Sequence, residues 1–244
     1  MESFNPVEMF KHMSMLDKSV VVLLLVMSVY SLWVMIDRFA VFSKAKRYSL
    51  AFVLALRDRM AKRDLNGALN LSKAEPQSPI AKVIYEALTE YRDGLDAIAK
   101  TGPDEVGEFD VVDAVNRAID RVKEREIANM KKGLGGLASI SSAAPFIGLF
   151  GTVIGIINAF QAMAASGQGG LGAVSKGISE ALITTAAGLL VAIPAVMAFN
   201  FFQGRVRRTL GRVDAMAHLI LGAIQNPPAR PLTAVTAEAE SGGK

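Results

Sequence analysis

Three apolar runs separate charged stretches along the chain. The first, Ser19–Ile36, holds no charge and is bracketed by Asp17–Lys18 and Asp37–Arg38. About 18 helical residues at ~1.5 Å each reach ~27 Å, close to the ~30 Å hydrocarbon core of a bilayer. The run ends in bulky Trp33-Val-Met-Ile36 with no small-residue cleavage site after it, so it reads as a retained anchor rather than a signal peptide. Tyr30 and Trp33 suit one membrane interface. The second run is Leu137–Phe160, and the third, Leu171–Phe202, is interrupted only by Lys176 and Glu180. The pattern predicts an all-α membrane protein with spanning helices over 19–36, 137–160 and 171–202.

Residues 37–136 differ in kind. They are rich in Lys, Arg, Asp and Glu, are punctuated by Pro76 and Pro79, and break again at Thr101-Gly102-Pro103 and Gly107. Asp110 is the expected start of a further helix. After it, Val111, Val115, Ala118, Ile119 and Val122 fall on one face, with Arg117, Asp120, Arg121 and Lys123 elsewhere. No proline separates this helix from the second apolar run, so one long helix is expected to pass from water into the membrane. Gly133, Gly135, Gly136 and Pro145 are candidate kinks in it. Residues 161–170 read as a small-residue loop, and 203–226 as a helical extension. Pro227-Pro228 stops that helix, leaving 227–244 as a polar, disordered tail.

Charge then fixes orientation. The 27 Lys and Arg divide as 2 before the first run, 18 between the first and second, 1 (Lys176) at the start of the third beside the short loop, and 6 after the third. The positive-inside rule places 37–136 and the C-terminus in the cytoplasm, with residues 1–18 and 161–170 outside. Topology and anionic inner-leaflet lipid thereby account for the net charge of +4, and no nucleic-acid partner is needed. The chain has no cysteine, hence no disulfide framework or thiolate metal site. His12 and His218 stand alone and read as ordinary surface or interfacial residues.

Glu180 is the candidate working group. A carboxylate at a bilayer centre costs roughly 2.5–3.5 kcal/mol on insertion scales, and intramembrane carboxylates usually mark ion paths. From Glu180 to Arg205 is about 25 residues, or ~37 Å of helix, which sets the carboxylate toward the outer side of the core. Thr184 lies one turn on and ~40° round, so both can face one cavity, whereas Thr185 is ~140° away and points to another wall. Small residues crowd the second span: Gly148, Gly151, Thr152 and Gly155 fit close helix approach. Two readings of Glu180 stand side by side: ion or proton handling, and a structural pair with Lys176 four residues earlier, which would make the protein a membrane scaffold. A substrate transporter fits poorly, since the chain offers no inverted repeat. No phosphate-binding loop, HExxH or nucleophile elbow occurs, so no enzyme is expected. Three spans alone make a poor pore, which implies several copies or a partner.

The segments Ala144–Phe160 and Gly177–Asn200 resemble the second and third spanning helices of the MotA/TolQ/ExbB proton-channel family. The resemblance in residues lies mostly in 137–203, and in topology covers nearly the whole chain. It implies a homopentamer in the bacterial inner membrane around a dimer of a single-span ExbD/TolR-like partner that supplies an intramembrane aspartate. Protons are then the transported ion, with no bound cofactor. The resemblance places the family's intramembrane glutamate on Glu180, its polar threonines on Thr152 and Thr185, and its prolines on Pro145 and Pro194. Lys176 departs from a proline and Thr184 from a small apolar residue. Outputs of the family include TonB-linked uptake, Tol–Pal constriction through a TolA-like protein and gliding motility, and Ala192–Asn200 is somewhat more similar to the TolQ branch.

Overall fold

The computed structural model describes residues 14–101, 110–166 and 171–225. They form helices α1 (Met15–Ala61), α2 (Leu65–Ala74), α3 (Pro79–Thr101), α4 (Val111–Lys131), α5 (Leu134–Ser166) and α6 (Leu171–Gln225). The chain divides into two compact units. Residues up to Phe39 and Lys131–Gly204 make the first, and Ala40–Met130 with the residues from Arg205 onward make the second. The expected sequence features at 1–13, 102–109 and 227–244 lie outside the described residues.

The first unit is built from the start of α1, all of α5 and α6 as far as Gly204. Helices α1, α5 and α6 are each long and apolar enough to cross a membrane. In their most apolar stretches no more than 33% of residues are buried. Trp33, Phe146 and Leu190 stand exposed. Helices that turn such side chains outward are solvated by lipid or by other chains, since water would penalise that surface. The spans of the hydropathy pattern lie inside longer helices: α5 continues through 161–166, and α6 runs unbroken through both the third span and its extension.

One expectation is overturned. The helix leading to the second span is not continuous. It ends at Lys131 and restarts at Leu134, because Gly133 takes φ +80°. A Cβ there would be strained by that backbone and would also meet Val34 Cγ1 at 3.0 Å. The Gly133 carbonyl then accepts from Leu137 N at 3.3 Å and opens the next helix.

Within the first unit, α5 and α6 run antiparallel along a seam of small residues. A Cβ on Gly188 would lie 2.6 Å from Ala144 O and 3.1 Å from Gly148 Cα. One on Gly148 would lie 2.8 Å from Thr184 O, one on Gly155 would lie 2.7 Å from Ala181 Cβ, and one on Gly177 would lie 2.5 Å from Ala159 Cβ. The spacing of Gly148, Gly151 and Gly155 predicts close approach, and here the backbones touch. Gly151 also receives Val20 of α1, whose Cγ1 lies 3.1 Å from where a Cβ would be.

The second unit combines the end of α1 with α2, α3, α4 and the end of α6. Its core is large and apolar: Phe52, Leu56, Ile84, Leu88, Val115 and Ile220 are among its fully enclosed side chains. The apolar stripe read on α4 is the face that enters this core. Helix starts follow local chemistry. The carboxylate of Asp110 accepts from Val112 N at 2.8 Å, and the Ser78 hydroxyl from Ala81 N at 3.3 Å. Asp64 caps α2 through Gly67 N at 2.8 Å. That bond, aided by Arg59, holds its carboxyl below the ordinary range despite the opposing effect of burial. Polar ties join the helices: Lys82 of α3 reaches the buried Glu126 of α4 at 2.9 Å, and Lys123 of α4 reaches Asp214 of α6 at 3.2 Å. Burial works against the charged Lys123, but its bonds to Asp214 and Asp120 outweigh that and raise its pKa.

Two stability predictions follow from these contacts. Gly188→Ala should lower the thermal unfolding midpoint of the detergent-solubilised protein by an amount equivalent to about 1–3 kcal/mol of overpacking. Gly211→Ala, where an added Cβ meets nothing within 4 Å, should be neutral or stabilising by up to about 1 kcal/mol. Lys82→Met should cost more than Glu126→Gln, because it strands the more buried member of the pair. The expected difference in a denaturation comparison is roughly 1–3 kcal/mol, reduced from the fully buried case because Lys82 is 37% exposed.

Candidate functional site

Glu180 lies on α6, half-buried, immediately before Ala181, whose methyl fills the space beside Gly155. Its place in an apolar helix is enforced from the α5 side: each small residue on the seam removes a side chain that would push α6 away. The pairing of Glu180 with Lys176 falls on a side chain outside the described residues.

The three threonines use their hydroxyls differently. Thr152 is buried and donates to Leu149 O at 2.7 Å, one turn back on its own helix. Thr184 is fully buried and donates to Ala181 O at 2.7 Å and across the seam to Gly148 O at 3.2 Å. Its helical phase from Glu180 suits a shared cavity, yet the structure sets it in the seam, where its hydroxyl and Cβ occupy the place of a Gly151 side chain. Thr185 is the exception. Its Oγ1 is hidden from solvent and has no hydrogen-bond partner among the described residues. A helical threonine ordinarily returns its hydroxyl to the preceding turn. An uncommitted one keeps a donor and two lone pairs for water, an ion's hydration shell or a neighbouring chain. Leaving it unmet would cost about 1–3 kcal/mol. Thr185 and Thr152 flank one glycine: the Thr185 Cα lies 3.0 Å from where a Gly148 Cβ would stand, and Thr152 is one turn along α5 from Gly148.

Pro145 and Pro194 both lie inside helices. Each lacks an N–H, which withholds the usual intrahelical donor from the carbonyls of Ser141 and Leu190. Pro145 adjoins Ala144, the residue whose carbonyl crosses Gly188.

One polar cluster escaped the sequence reading. Asp17, taken there only as the flank of the first span, is buried. Ser14 Oγ donates to Asp17 Oδ2 at 2.7 Å and accepts from Asp17 N at 3.2 Å, a reciprocal cap on α1. Asn158 Nδ2 of α5 donates to Ser14 Oγ at 3.2 Å, while Asp17 Oδ1 has no partner among the described residues. The Ser14-x-x-Asp17 spacing carried the local half of this signal. Asn158 is distant in sequence and could not be assigned to it.

Comparison with known proteins places this arrangement. The description MotA/TolQ/ExbB proton channel family matches residues 75–215. The biopolymer transport protein ExbB of Neisseria meningitidis serogroup A is 36% identical over 203 residues, which cover 82% of this chain and 87% of that protein. The Tol-Pal system protein TolQ of Haemophilus influenzae is 34% identical over 220 residues, covering 83% and 86%. The TolQ protein of Pseudomonas aeruginosa is 44% identical over a shorter 107 residues. The family match spans α3, α4, α5 and the part of α6 that carries Glu180, Thr184 and Thr185, and the chain belongs to the MotA/TolQ/ExbB proton channel family.

Proposed function

We propose that this chain is the ion-conducting subunit of an inner-membrane motor that turns proton motive force into mechanical work on an envelope partner. The observation that carries the reading is the uncommitted hydroxyl of Thr185, on the helix that also holds Glu180. A carboxylate that takes and releases protons needs neighbouring groups that order water without binding it permanently. Thr152 and Thr184 have given their hydrogens to carbonyls, so Thr185 is the threonine ready for that role.

In this reading Glu180 is the carrier, and Thr152 and Thr185 line the path with Thr184 fixing the helix that bears them. Five copies surround a dimer of a single-span ExbD/TolR-like protein, whose intramembrane aspartate exchanges protons with Glu180. The N-terminus is periplasmic and the second unit cytoplasmic, following the distribution of Lys and Arg. The relatives named ExbB and TolQ are nearly equally similar, at 36% and 34%, so transport through a TonB-like protein and Tol–Pal work through a TolA-like protein have comparable support. A motility complex remains a third load for the same engine.

Proton flux into liposomes holding the assembled complex tests the carrier. Glu180→Gln should abolish flux with the oligomer intact, and flux equal to wild type would overturn the reading. A second comparison separates the threonines. Thr185→Val should lower flux by about tenfold or more with little change in the unfolding midpoint, less than the ~10²–10⁴-fold of a lost proton-transfer group because Thr185 only orders water. Thr184→Val should instead lower the midpoint by the equivalent of about 1–2 kcal/mol, because it deletes a buried bond across the seam.

A further inference from the structure

A cavity of about 230 Å³ opens in the second unit, beside the points where α1 and α6 finish their apolar stretches. Its rim carries Lys46, Arg205, Arg208 and Arg212, and among the described residues no carboxylate lines it. Its floor is apolar, with Phe42 and Ile80 both buried, and Ser49 and Thr209 add hydroxyls. Some cations of this unit are paired with carboxylates, among them Lys82 with Glu126, Arg121 with Glu90 and Lys123 with Asp214. Lys46, Arg208 and Arg212 form no ion pair among the described residues, and neither do Arg57 and Arg125, but the first three alone of these five line one cavity. Like charges gathered on one small cavity repel one another, and an anion entering it relieves that repulsion. Paired guanidinium groups favour phosphate oxygens in particular, through two parallel N–H donors each.

The depth of the cavity points to the source of the phosphate. Phe42 follows the last apolar residue of the first run, Ile36, by about six residues, and Arg205 follows Phe202 by about three. At ~1.5 Å per residue the near edge of the cavity, at Phe42 and Arg205, lies ~5–9 Å beyond the apolar stretches, and Lys46 and Arg212, about ten residues past those stretches, reach ~15 Å. The headgroup layer on each side of a bilayer occupies roughly 5–8 Å beyond the hydrocarbon core. We propose that this cavity binds the phosphate of an anionic phospholipid in the leaflet adjoining the second unit, with the glycerol and first acyl carbons against Phe42 and Ile80. Free phosphate shares the chemistry of the rim but has no use for that apolar floor.

Full-length protein, delipidated in an uncharged detergent, provides the test through its thermal unfolding midpoint. Titrating phosphatidylglycerol should raise the midpoint, whereas phosphatidylcholine and inorganic phosphate at equal concentration should not. Arg208→Gln with Arg212→Gln should weaken the phosphatidylglycerol response about tenfold or more, as expected for two lipid-facing cations. Arg57→Gln with Arg125→Gln removes the same charge from exposed positions outside the cavity and should stay within about twofold of wild type. All four positions are exposed, so the folded state should survive both changes, with helical content as the check. Equal weakening in the two double variants would reduce the effect to diffuse surface attraction and overturn the site. Protection by inorganic phosphate matching that by phosphatidylglycerol would overturn the lipid as occupant, and no response to phosphatidylglycerol would overturn both. None of these readouts involves ion flux, so failure here leaves the carrier role of Glu180 untouched.

Discussion

Direct backbone contact between α5 and α6 is the constraint on which the first unit depends. At Gly148 and Gly188 neither helix has a side chain to interpose, and each would clash if it had one. In lipid there is no hydrophobic gain from pairing apolar helices, so attraction comes from close packing and from the few polar bonds that close packing permits. The bond from Thr184 to the Gly148 carbonyl is one of these, possible only because α5 offers a bare backbone at that point. The same approach sets Thr185 against α5 while leaving its hydroxyl without a partner among the described residues.

The second unit obeys a different rule. Its helices bury Phe, Leu and Ile in a contiguous core, and the driving force is removal of apolar surface from water. Helix α6 takes part in both units and changes its buried alphabet between them. In the first it buries Ala181, Thr184, Ala192 and Ala195 along with Val191 and Phe202; in the second it buries Val206, Val213, Met216, Ile220 and Ile224 along with Ala217. The balance shifts from small to large buried residues as the helix passes from a seam of backbone contacts to an apolar core.

Patterns confined to one helix were legible in the sequence. The apolar runs, the stripe on α4, the cap at Asp110 and the glycine spacing of α5 all have a period or a local bond behind them, and each appears in the structure. Features that need a second element were not legible. Gly133 is one glycine of three at its junction, and only Val34 and a positive φ distinguish it. Glu126 sits on a charged helix and is buried because Lys82, distant in sequence, meets it. Thr184 and Thr185 are adjacent and chemically identical, yet Thr184 bonds to Ala181 O and across the seam to Gly148 O while Thr185 Oγ1 has no partner among the described residues. The cationic cavity joins residues of α1, α3 and α6, and no one of those segments carries its outline.

A seam of glycine and alanine also has a mechanical character. Such residues surrender almost no rotamer freedom on packing, so the contact is gained at little entropic cost. By the same token it contains no flexible side chains that could rearrange to let one helix slide past the other. Motion of the pair as a single body is therefore favoured over motion within it, and slip is left to the surfaces where Phe146, Leu190 and their exposed neighbours project long, adaptable side chains.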